Sequence, residues 1–220
     1  MEKTKFIQSF KKARYSEKDK EILAYCGQKK VLDVGCVGQE RSYDNPTWLH
    51  NQIRQTSNSL IGVDIDIAGI KVLNEKGFQV IHIDELSESD TYDTIVMGDV
   101  IEHISDIASF LNFYRKYLSP EGRMVITTPN PFSFRQVLHT LLYSKPSING
   151  EHTCHLDPIT MLEVVAREEF VIQDFCWLRE QKKMTSLKNR IINLVASVFI
   201  RIRKFYSQNF MIVLSNPPSK

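Results

Sequence analysis

From Val31 onward, short runs of aliphatic and β-branched residues alternate with stretches of helical periodicity, and this alternation leaves few architectures open. The runs are VLDV (31–34), LIGVDI (60–65), QVIHI (79–83), YDTIVMG (92–98), RMVITT (123–128), FVIQDFCW (170–177) and FMIVLS (210–215). Their apolar residues are continuous rather than alternating with polar ones, as strands covered on both faces require. Strands separated by helices predict an α/β fold: a Rossmann-like, doubly wound, mostly parallel seven-stranded sheet with helices on both faces. At 220 residues, 42% of them hydrophobic and 25% charged, the chain suits one domain spanning 1–220.

Helix punctuation supports the pattern. Ser16 with Asp19 reads as a capping box before EILAY, and Asn45-Pro46 and Asp157-Pro158 each read as an N-cap followed by a first-turn proline. Gly77 closes the helix in AGIKVLNEK. In DIASFLNFYRKYL, Ile107, Phe110, Leu111, Tyr114 and Leu118 recur at helical spacing, and Ser119 to Gly122 form a turn into the next strand.

Several classes are disfavoured. Cys26, Cys36, Cys154 and Cys176 contain no CxxC pair, so neither a disulfide framework nor a zinc ribbon is expected, and a reducing cytoplasm is the simpler setting. The opening MEKTKFIQSFKKAR lacks the apolar core of a secretory signal. The apolar IINLVASVFI is too short to cross a bilayer, which predicts a soluble or peripheral protein.

In a doubly wound sheet the ligand lies at the carboxyl ends of the strands, where strand order reverses. Those ends are Asp33-Val34-Gly35, Asp64-Ile65-Asp66, Asp84-Glu85, Gly98-Asp99 and Thr128-Pro129-Asn130. Gly35 and Gly38 allow close backbone approach to a ligand. A GxGxxG pyrophosphate cradle needs glycines where Val37 and Glu40 stand, and no Walker GK[ST] follows. Asp64 falls where a carboxylate can accept from ribose hydroxyls, and Asp84 where one can receive an adenine amino group. The pattern is a nucleoside without pyrophosphate, although either acid alone could equally cap the next helix.

The segments VLDVGC, LIGVDID, VIHID, YDTIVMGDVIEHI and LSPEGRMVITTPN resemble class I S-adenosylmethionine-dependent methyltransferases, in the branch that includes the ubiquinone-biosynthesis O-methyltransferases. The likeness runs from about Val31 to Cys176. It implies S-adenosyl-L-methionine as cofactor and a small-molecule or lipid-linked acceptor, methylated at a hydroxyl oxygen. By the same resemblance Asp33 and Gly35, with Cys36 and Gly38 in the same loop, lie near the methionine part. Asp64 and Ile65 lie at the ribose, Asp84 with Glu85 at the adenine, and Gly98 with Asp99 beside the methyl group. Arg14 is a candidate partner for the cofactor carboxylate. The family pattern DxGxGxG is broken at Val37 and Gln39, so Val37 either keeps negative φ or is strained, with Trp48 to Ile53 packing behind it. A catalytically inactive S-adenosylmethionine-binding protein is the alternative; a nicotinamide oxidoreductase is opposed by the missing GxGxxG.

An acceptor hydroxyl needs a proton acceptor in reach. His103 is the first candidate, with a supporting or helix-capping role as the alternative. Asp99, Glu102 and His103 also resemble the set that holds a divalent cation in some quinone O-methyltransferases, but no metal ligand is assigned. His152 and His155, in Glu151 to His155, are further candidate bases or substrate contacts within 131–160, a segment expected to cover the acceptor site.

From Gln181 to Lys220 there are eight Lys or Arg and no acid, whereas residues 1–180 carry 20 bases against 26 acids. A basic amphipathic helix is expected over 183–206, inserted before the last strand. Leu187, Ile191, Leu194, Val195, Val198, Ile202 and Phe205 share a face. The preferred expectation is that this face packs on the sheet. Peripheral membrane contact through 187–206 and a homodimer are alternatives, and no nucleic-acid partner is expected.

Overall fold

The computed structural model describes residues 7, 8, 10, 12–38, 43–147, 149–179 and 187–218, with side chains of the last helix described from Leu194. Gln39, Glu40 and residues 183–186 lie outside the described residues. The strands are β1 (Arg14–Glu17), β2 (Lys30–Val34), β3 (Ser59–Asp64), β4 (Val80–His82), β5 (Tyr92–Gly98), β6 (Leu118–Pro129), β7 (Val171–Arg179) and β8 (Asn209–Ser215). They form one sheet in the order β1-β7-β8-β6-β5-β2-β3-β4. β8 runs antiparallel to β6 and β7, and the other pairs are parallel. The helices are α1 (Lys18–Cys26), α2 (Leu49–Thr56), α3 (Ile67–Glu75), α4 (Ile107–Arg115), α5 (Phe134–Tyr143), α6 (Pro158–Arg167) and α7 (Leu187–Ile202).

The continuous aliphatic runs are explained by register. Leu32 sits beside Ile95, Ile95 beside Met124, and Met124 beside Leu214, all in the core on one face. Val96, Val125 and Val213 are neighbours in the core on the other face. Each such side chain removed from water contributes about 1.5–3 kcal/mol, so both faces drive the sheet together.

The sheet has eight strands rather than seven. The extra strand, β1, adds in parallel to β7, with Arg14 opposite Cys176. Its sequence, RYSE, is polar and short, as an edge strand's can be, and carries no aliphatic run. Ser16 is therefore in a strand, and α1 begins behind Glu17 without a side-chain cap. Asn45 likewise does not cap a helix: its Oδ1 accepts from the amide and hydroxyl of Thr47, and α2 starts after Trp48. Asp157 does cap α6, accepting from the amides of Ile159 and Thr160, and Gly77 takes φ 80° past the end of α3. Ser119 to Gly122 lie within β6 as an irregularity in its pairing with β5. A Cβ on Gly122 would stand 2.8 Å from the Tyr92 carbonyl oxygen, so only glycine fits that crossing.

α7 departs from expectation in its orientation. Among its described side chains Ala196 and Ile200 are buried, while Leu194, Val195, Val198 and Ile202 face solvent. The helix packs against α5, with the rings of Phe134 and Phe199 5.3 Å apart. Among the described residues no helix is long and apolar enough to cross a membrane.

Candidate active site

Strand order reverses between β2 and β5, and a cleft of about 880 Å³ opens at the carboxyl ends of the strands there. Gly35, Val37, Gly38, Asp64, Ile65, Gly98 and Asp99 line one part, and Glu102, His103 and His152 line another. Gly35 takes φ 73°, and a Cβ there would lie 2.6 Å from Cγ2 of Val100, so a side chain is excluded by both dihedral and space. The next positions resolve the broken glycine pattern. Val37 does not adopt positive φ. Its amide donates to Asp64 Oδ2 at 2.9 Å, and its side chain is buried against Gly69 of α3, where a Cβ would come within 2.3 Å of Val37 Cγ1. A valine is thus accommodated by a glycine on the facing helix.

Asp64 therefore holds the loop. Its Oδ1 accepts from the amides of Ile65 and Asp66, and the capping role for α3 falls to Asp66. Four other expected cofactor residues are not among those lining the cleft. Asp33 is buried below it, with Oδ2 2.8 Å from Nδ1 of His50. Cys36 is also buried, and burial pushes its thiol pKa well up. Asp84 and Glu85 are exposed on a 3-10 turn, where Glu85 accepts from the His82 amide, and Ile83 of that turn faces the cleft instead. Arg14 is engaged elsewhere: it donates to Asp174 and Glu21 at the sheet edge.

The end of β5 carries the most unusual backbone. Asp99 has φ 56°, in the left-handed region, which costs a non-glycine residue about 1–3 kcal/mol. Its amide donates to the carbonyl and Oγ1 of Thr127, its Oδ1 accepts from the Thr127 hydroxyl at 3.0 Å, and its Oδ2 accepts from Nζ of Lys18. Glu102 is buried, accepts from the Thr128 hydroxyl at 3.0 Å, and has its pKa pushed up to about 7, first by burial and then by the charge of Asp99. The Glu102 carbonyl accepts from the amides of Thr153 and Cys154, which ties the segment after α5 to the cleft wall.

That tie brings His152 to His103, their rings 4.7 Å apart and edge to face. Nδ1 of His103 lies 3.2 Å from the carbonyl oxygen of Glu151. A carbonyl only accepts, so Nδ1 donates to it, and in the neutral tautomer this selects, Nε2 carries the lone pair. His152 has a lowered pKa, through burial first and then the charges of His103 and His155. His155 stacks edge-on to His152 but is not among the lining residues. Glu102, His103 and His152 bring possible ligand atoms within 4.8 Å of one another, a carboxylate and imidazole set of the kind that suits a divalent ion. Asp99 is not in that group.

The model of the Methyltransferase domain family matches residues 8–172, most of the chain, and that range holds every residue lining this cleft. The chain belongs to the methyltransferase-domain family. It is 31% identical over 114 residues to the mitochondrial ubiquinone biosynthesis O-methyltransferase of Homo sapiens, covering 46% of this chain and 29% of that protein. It is 28% identical over 109 residues to the ubiquinone biosynthesis O-methyltransferase of Bradyrhizobium sp. (strain ORS 278), covering 46% and 40%. The match spans less than half the length of either relative. Among solved structures, a SAM-dependent methyltransferase from Archaeoglobus fulgidus shares the fold at TM-score 0.55 and 17% identity, over 96% of this chain and 90% of that one. Magnesium protoporphyrin IX methyltransferase from Synechocystis PCC 6803, solved with bound SAH, gives 0.57 at 14% identity, over 90% and 82%.

For this methyltransferase domain, sequence reasoning missed Lys18, His50 as the partner of Asp33, and the hydrogen bonds of Thr127 and Thr128, of which Thr128 was read only as a strand end. The threonines sit at the end of β6, where polar residues in an aliphatic run are a usable signal. Lys18 and His50 carry none, since each becomes informative only through a partner distant in sequence.

Proposed function

We propose that the domain transfers a methyl group from S-adenosylmethionine to a hydroxyl oxygen of a small-molecule or lipid-linked acceptor. The cofactor suits the residues present: Gly35 and Gly38 present bare backbone to the cleft, and Asp64 Oδ2 and Oδ1 face the loop beside Ile65. When bound, it supplies an electrophilic methyl on a sulfonium. The protein's part is then to align the acceptor oxygen, exclude water and take a proton.

The observation that carries the reading is His103, whose Nδ1 is committed to the Glu151 carbonyl and whose Nε2 is left as proton acceptor in the cleft wall beside Asp99. Burial, with His103 and His155 nearby, favours the uncharged form of His152 beside it. The hydroxyl specificity draws support from the O-methyltransferase names of the relatives. The segment 131–160 serves as acceptor cover in this reading, through Asn149, Glu151 and His152.

The test is transfer of labelled methyl to catechols with and without a prenyl chain. His103→Ala should lower kcat by about 10²–10⁴-fold, the usual contribution of a general base, while S-adenosylmethionine affinity is retained. Unchanged kcat would remove the hydroxyl-base assignment. A binding-only protein is the second reading, favoured by Asp64, which already accepts from three backbone amides. Cofactor binding without turnover on any acceptor would select it.

A further inference from the structure

Two stretches of the chain contain no acidic residue. Pro131 to Gly150 has Arg135 and Lys145, and Gln181 to Lys220 has eight Lys or Arg; all 26 acids lie elsewhere, against 18 bases. The fold brings these two distant stretches together. α5 and α7 meet through Phe134 and Phe199, and the flanking segments through Phe132 and Phe205, whose ring centroids are 5.9 Å apart.

The side chains turned away from that contact are apolar and open to solvent. Leu141 is 76% exposed, Leu194 68% and Ile202 69%, with Leu142, Val195 and Val198 also exposed. A helix on the surface of a water-soluble protein normally places polar residues at such positions, and several large apolar side chains left exposed on two helices that pack together mark an interaction surface. The exposed cations Lys145, Arg201 and Arg203 lie on the same two stretches.

We propose that this α5–α7 face docks on the surface of an anionic lipid bilayer. Leucine, valine and isoleucine side chains suit the boundary between headgroups and acyl chains, and Lys and Arg suit anionic headgroups. Charge argues against a second copy in a face-to-face arrangement, because both faces are wholly basic. No described helix is long enough to span, so the contact is interfacial. Asn149, Glu151 and His152, which follow α5 within ten residues of its end, line the cleft. Docking thus places the cleft beside the membrane.

The experiment is co-sedimentation of the full chain with vesicles of phosphatidylcholine alone or with phosphatidylglycerol added, at low and high salt. Binding is expected only to the anionic vesicles and should weaken with salt. The double variant Leu141→Asp with Leu194→Asp, and separately Arg201→Glu with Arg203→Glu, should each lose roughly tenfold or more in vesicle affinity. Calorimetric S-adenosylmethionine affinity should be unchanged in both, which separates this proposal from the catalytic one. Absence of sedimentation with anionic vesicles, or equal sedimentation by the variants, overturns the proposal. A concentration-dependent dimer broken by the same aspartates, without vesicle binding, would give the face to a second copy instead.

Discussion

Lys18, the first residue of α1, forms an ion pair with Asp99, which sits at the end of β5 with φ 56°. The cation is fixed beside a cleft whose next turn presents the buried carboxyl of Glu102, and it opposes the upward pull of burial and of Asp99 on that group. One contact therefore supports a strained backbone and tunes a titrating side chain.

Lys18→Met should leave Asp99 partly buried without its cation. A loss of about 1–3 kcal/mol is expected, measured by urea unfolding. The same substitution should raise the pKa of the Glu102 carboxyl further, read by NMR titration; a downward or absent shift would show that Lys18 does not act on Glu102.

Glu102 also links pH to stability. Its pKa is 4.5 in the ordinary case and about 7 here, so between those values the folded protein binds more protons than the unfolded chain. The stability it contributes is full below pH 4.5 and is lost as pH rises towards 7, by roughly 3 kcal/mol. Glu102→Gln should flatten that slope in denaturation series run across the window.

Val37 and Gly69 form a complementary pair. Gly69→Ala would add a Cβ 2.3 Å from Val37 Cγ1, and overpacking of this kind costs about 1–3 kcal/mol despite the better helix propensity of alanine. Combining it with Val37→Gly should cost less than the sum of the single changes. A double-mutant cycle with coupling below about 0.5 kcal/mol would show that the two side chains are independent.

Asp33 and His50 are a buried pair, and His50→Leu leaves the carboxylate without its partner. Leaving the buried Asp33 carboxyl without this hydrogen bond should cost about 1–3 kcal/mol, and adding Asp33→Leu should recover most of it. Thermal unfolding of the single and double variants checks both parts.

The fold was legible where physics is local. β2, β3 and β5 bury both faces, so VLDV, LIGVDI and YDTIVMG read as strands without any partner in view. The strand-end rule then placed Asp64, Gly98 and Asp99 at the cleft, because topology alone decides where such ligands sit. Asp157 was readable as a cap because its hydrogen bonds are made within four residues.

Legibility ended where one segment's meaning depends on another. RYSE became β1 only because β7 offers a free edge, and Asp33 met His50, rather than the cleft, because α2 packs beneath the loop. Val37 tolerates the place of a glycine because α3 presents Gly69 to it. The apolar stripe of α7 was evident from its spacing, yet periodicity reports that a face is apolar and not what it faces. In the folded chain Ala196 and Ile200 are buried, Phe199 meets Phe134 of α5, and Leu194 and Ile202 stay outside. The sequence by itself determined the strands β2 to β8, their order along the chain and the end of the sheet that holds the site, since these follow from local burial and chain connectivity. The pairs Lys18–Asp99, Asp33–His50 and Val37–Gly69, and the outward face of α7, were decided by the tertiary structure, because each is a contact between segments that only packing brings together.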